Sequence, residues 1–81
     1  MKITINKNQE EINFRTHVGT IIMIAKEKAK NGYHHFYYPI PRNQGVSHWE
    51  LIRKVEEETE ETVYAGHKSV SDGTIRFTIR S

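Results

Sequence analysis

Polar and apolar positions alternate from the start of the chain. Ile3 and Ile5 fall on one side and Lys2, Thr4 and Asn6 on the other, so Lys2–Asn6 reads as a half-buried strand. A polar turn at Lys7-Asn8-Gln9-Glu10 follows, and Ile12, Phe14, Thr16 and Val18 alternate again as a second strand. Asn13 or Thr16 could instead cap a helix that begins early. From Thr20 to Lys30 the period becomes helical: Ile21, Ile22, Ala25 and Ala29 form a stripe, and Lys26, Glu27, Lys28 and Lys30 take the other side. Asn31-Gly32 ends that helix in the left-handed conformation glycine tolerates.

Tyr33–Ile40 is rich in aromatic residues and closed by Pro39 and Pro41, which predicts a strand. Alternation places His34, Phe36, Tyr38 and Ile40 toward a core, leaving Tyr33, His35, Tyr37 and Pro39 outside. After the loop Arg42-Asn43-Gln44-Gly45, Ser47 and Glu50 are spaced as a capping box, with Val46 and Leu51 as a hydrophobic staple. The helix they open is expected to reach about Glu60 and to bury Trp49, Leu51, Ile52 and Val55, with Trp49 as its anchor and its acidic end frayed. Thr62–Val70 and Thr74–Arg80 read as a hairpin joined by Ser71-Asp72-Gly73, with Gly73 left-handed. That turn pairs Ala65 with Ile79, His67 with Phe77 and Ser69 with Ile75 on the inner face, and sends Tyr64, Lys68, Arg76 and Arg80 to the outer one. A two-residue turn would set Lys68 opposite Phe77 in the core, so hydrophobic matching selects the longer loop. The expected fold is one α+β domain over 1–81: a two-layer sandwich, two helices on one face of a small mixed or antiparallel sheet ending in a C-terminal β-hairpin.

Composition narrows the picture. A chain of 81 residues buries only about 60% of its unfolded surface, leaving little core to hollow into a deep pocket. The absence of cysteine rules out disulfides and thiolate sites and suits a reducing cytoplasm. The longest apolar run, Ile21–Ala25, is far short of the roughly 20 residues of a membrane span, and the N-terminus lacks a secretory apolar segment, so the chain reads as soluble, unprocessed and cytoplasmic. Net charge is +2, but five of the ten acidic residues lie at Glu56, Glu57, Glu58, Glu60 and Glu61, so the remainder is more basic than the total suggests.

The helix closing in Ala29-Lys30-Asn31-Gly32, the aromatic strand, the second helix and the hairpin ending Thr74-Ile75-Arg76-Phe77-Thr78-Ile79 resemble, across residues 19 to 80, small α+β accessory proteins encoded by bacteriophages. The resemblance implies a viral or mobile-element protein of a group with mixed or unassigned functions, several kinds of which bind and block a host component. It assigns no functional residue.

Catalytic chemistry finds no foothold. His34 and His35 are adjacent on a strand and point to opposite faces, and His17, His48 and His67 lack ligand spacing, so no metal is expected. No nucleophile motif or phosphate-cradling glycine loop is present, and no enzymatic activity or cofactor is expected. The acidic run could mimic phosphates, but a solvated helix end with local ion pairs is the plainer reading. What remains is the outer sheet face, presenting Tyr33, His35, Tyr37, Tyr64, Lys68, Arg76 and Arg80, with Lys68 and Arg76 as a like-charge pair that an anionic partner would relieve. Such a surface suits a protein partner or self-association as a dimer, and alternatively RNA or single-stranded DNA. The expectation is a non-enzymatic interaction module, with no membrane and no small-molecule cofactor.

Overall fold

The computed structural model describes residues 7–80, so the strand expected over Lys2–Asn6 lies outside the described residues. The chain forms α1 (Lys7–Lys30), β1 (His35–Pro39), α2 (His48–Glu58), β2 (Val63–Tyr64), a 3₁₀ turn (His67–Ser69), β3 (Val70–Ser71) and β4 (Thr74–Ile79). The expected α+β class holds. Both helices cover one face of an open antiparallel sheet in which β4 is central, flanked by β1 on one side and by β2 and β3 on the other.

Residues 12 to 18 are helical, not a strand. Phe14, Val18, Ile21, Ile22 and Ala25 recur at the spacing of a single helical face, a longer repeat than the alternation of Ile12, Phe14, Thr16 and Val18. Val18, Ile21 and Ala25 are buried, while Ile12 is 57% exposed. Neither Asn13 nor Thr16 caps the helix; Asn13 Nδ2 instead donates to the carbonyl of Gln44. At the other end Gly32 takes φ +83, with its N–H on the Ala29 carbonyl and the Tyr33 N–H on that of Lys28, the two bonds of a Schellman motif.

Ser47 sits at the N-cap of α2 with extended backbone, but its hydroxyl makes no capping bond, so the expected box is not closed. The staple survives, with Val46 packed on the core and Leu51 fully buried. Trp49 does not anchor the helix and is 41% exposed. At 3.6 residues per turn it stands about 110° from the centre of the arc occupied by Leu51, Ile52 and Val55. Instead of fraying, α2 stops at a second Schellman motif: Glu60 donates to the Glu57 carbonyl and Glu61 to that of Glu56, with Glu60 at φ 52 and Glu61 at φ 64.

The hairpin register differs from the expected one. Val63 pairs with Ile79 and Tyr64 with Thr78, whereas Val70 pairs with Ile75 and Ser71 with Thr74. Residues 65–69 therefore stand opposite only 76 and 77, and the 3₁₀ turn takes up the excess. The pairs Ala65–Ile79, His67–Phe77 and Ser69–Ile75 do not form, and His67 is exposed. The turn lifts Lys68 out of the ladder, so a two-residue Asp72-Gly73 loop, with Gly73 at φ +85, closes the hairpin without placing a lysine against the buried Phe77.

Candidate functional site: the uncovered sheet face

Phe36 and Tyr38 of β1, and Ile75, Phe77 and Ile79 of β4, turn inward beneath the helices and are buried. Because successive strand residues face opposite ways, the outer face is fixed as His35, Tyr37 and Pro39 on β1 and Thr74, Arg76 and Thr78 on β4. Cross-strand pairing sets Tyr37 beside Arg76 and aligns His35, Thr78 and Tyr64 in a row. The rings of His35 and Tyr37 meet edge to face with centroids 5.8 Å apart. Arg80 continues the same face, its guanidinium carbon 5.1 Å from the Tyr64 ring centre. Among the described strands this face carries no Asp or Glu.

Two expected members lie off the strands, Tyr33 at the rim beside His35 and Tyr37 and Lys68 in a turn. Tyr33 lies at the corner after α1, under Lys28, whose Nζ is 4.8 Å from the ring centre. Lys68 is exposed in the 3₁₀ turn and does not stand opposite Arg76, so the expected like-charge pair is not formed. The acidic run is largely a solvated helix end: Lys54 Nζ lies 3.9 Å from Glu57 and 3.8 Å from Glu58. Glu56 is structural, its Oε2 accepting from the Ala65 N–H at 3.1 Å.

Behind the sheet, α1 is clamped to the end of β1. His17 contacts the Tyr38 hydroxyl at 2.6 Å through Nδ1 and the Gln44 side-chain oxygen at 2.7 Å through Nε2. A neutral imidazole protonated on Nε2 satisfies both, donating to Gln44 and accepting from Tyr38. Burial pushes the Tyr38 hydroxyl above its ordinary pKa.

Sequence reasoning missed one cluster. Trp49 packs between His48 and His67, with centroid separations of 4.7 and 4.6 Å, beside a groove also lined by Ile52, Arg53 and Glu56. The available signal was the angular offset of Trp49 from the buried stripe. Among the described residues no group of three or more His, Asp or Glu side chains could hold a metal ion, and no helix is long and apolar enough to cross a membrane. No family model, curated protein or solved structure matches the chain. Fold and surface together define a small two-layer α+β protein with one sheet face uncovered.

Proposed function

We propose that this is a non-enzymatic interaction module, a viral or mobile-element accessory protein of the cytoplasm that engages a protein partner through its uncovered sheet face. The observation that carries this reading is compositional and spatial: His35, Tyr37, Tyr64, Arg76 and Arg80 share one face that, among the described residues, is free of carboxylates. Tyr and Arg are the residues that most often anchor protein interfaces, because each offers a large contact area with a polar end. The covered face already supplies the core, so these outward rings contribute little to folding, and a surface complementary to them is acidic and partly apolar.

Light scattering on the wild-type protein and on Tyr37→Ala tests the reading first. A dimer lost in the variant identifies the partner as a second copy. A monomer in both leaves a different protein, detected as one retained by the immobilised wild type and released by the Tyr37→Ala/Arg76→Ala double variant. Equal retention by both sinks the proposal.

The absence of carboxylates also favours a second reading, RNA or single-stranded DNA stacked on the rings with phosphates at Arg76 and Arg80. Anisotropy of a labelled oligonucleotide separates the two: affinity falling steeply between about 50 and 200 mM salt marks nucleic acid binding.

A further inference from the structure

We propose that the open edge of β1 is a strand-addition site, taking an extended partner segment that alternates apolar and acidic residues in the groove between β1 and the C-terminal half of α1. This rests on the protein-partner reading and specifies how the partner is held.

In an antiparallel ladder only every second residue directs its backbone groups to a given neighbour. The Ile79 N–H donates to the His34 carbonyl at 2.8 Å and the Ile40 N–H to the Gly73 carbonyl at 3.0 Å, which fixes the phase. Residues 34, 36, 38 and 40 therefore face β4, and His35 and Tyr37 turn their N–H and C=O groups outward. β1 has no strand on that side among the described residues, and none of their hydrogen bonds reaches those groups. Unpaired edge groups template an incoming strand. Pro39, which has no N–H, ends the set of donors after two.

The groove along this edge is lined by Ile24, Lys28, Tyr33, His35, Phe36 and Tyr37. A strand added here sends alternate side chains toward α1, where half-buried Ile24 meets them, and onto the outer face beside His35 and Tyr37. Apolar residues suit the first set. Acidic residues suit the second, because Arg76 stands next to Tyr37 on the outer face and no described strand residue there carries a carboxylate to repel them. A second copy is the poorer match, since it would bring another Arg76 and Lys28 to a surface that already lacks counter-charge. The opposite edge is unsuited, being interrupted by the 3₁₀ turn.

The test uses an acetylated, amidated peptide of about seven residues alternating valine and aspartate, a valine–lysine control, and amide exchange read by NMR on the full chain. In the free protein the His35 and Tyr37 amides exchange freely while Phe36 and Tyr38 are protected. The aspartate peptide slows His35 and Tyr37 about tenfold or more, and the lysine peptide does not. Tyr37→Ala removes the ring and keeps the outward N–H; Tyr37→Pro removes both without touching a β4 rung, and binds the peptide about tenfold more weakly than Tyr37→Ala. His35→Pro serves in its place if loss of protection at Ile75 and Phe77 shows that Tyr37→Pro does not fold.

Equal binding by the Pro and Ala variants overturns strand addition while leaving the face as the partner surface. Protection of His35 and Tyr37 in the free monomer, or protection that rises with protein concentration as mass doubles, also overturns the proposal, as does a failure of the aspartate peptide to slow them at millimolar concentration.

Discussion

Glu60 occupies a position that glycine fills in the other helix. Both helices close with the same pair of backbone bonds, but α1 places Gly32 at the left-handed residue and α2 places Glu60 there, with Glu61 left-handed as well. A side chain in that conformation costs roughly 1–2 kcal/mol, and a carboxylate also opposes the negative end of the helix dipole. Glu60→Gly is expected to stabilise the protein by about 1 kcal/mol, raising Tm by about 4–8 °C in a thermal melt followed by circular dichroism. The α1 ending was legible because Asn31-Gly32 advertises it. The α2 ending was not, because glutamate carries no such signal and the motif is closed by its backbone.

Tyr38 gives a second prediction at the same scale. Burial raises its folded pKa, so the folded protein keeps the hydroxyl proton at pH values where the unfolded chain has lost it. This contribution is complete below the unfolded tyrosine value of about 10 and drains away as pH climbs through the folded value. Urea unfolding between about pH 9 and 11 is expected to show falling stability. Tyr38→Phe should flatten that fall, while costing about 1 kcal/mol at neutral pH because half-buried His17 loses its donor. Tyr38 was legible as an inward residue, but its partner was not: His17 is 21 residues away, and the Gln44 that holds the other side of the imidazole is 27 residues from His17.

Among the elements, the C-terminal hairpin is two short ladders out of step. β2 and β3 both pair with β4, and the surplus between them amounts to the three residues of the 3₁₀ turn. Deleting His67, Lys68 and Ser69 would bring Ala65 opposite Phe77, Gly66 opposite Arg76 and Val70 opposite Ile75 in one register, with Ala65 and Val70 still facing inward. The deletion variant is expected to melt cooperatively and to show amide protection at Tyr64, Gly66 and Ser71, the residues whose N–H groups then face β4 in one unbroken ladder. It should bind through the outer face unchanged, since Lys68 is not on it; loss of the cooperative melt would refute the register argument. A single register is the natural expectation from hydrophobic matching, because each possible turn implies an unbroken strand on either side of it. The N-terminal part of α1 is hidden for a related reason: Ile12, Phe14, Thr16 and Val18 alternate over a short window, and only the window out to Ala25 separates the strand period from the helical one.

For the whole molecule, sidedness was the most legible property. The inward choice of Phe36 and Tyr38 follows from period two together with the greater apolarity of their set, and it fixed His35, Tyr37 and, through pairing, Arg76 on the other side. What alternation does not reveal is the contour of that surface, because Tyr33 belongs to a helix cap and Lys68 to a turn.

Among the described strands, the two margins of the sheet are unequal. One side offers a short length of backbone closed off by a proline, and the other is broken in the middle. Growth into a fibre needs two adhesive margins on every subunit. If strand addition at β1 holds, a molecule adhesive along only that margin forms a pair, with itself or with a stranger, and the chain of contacts ends there.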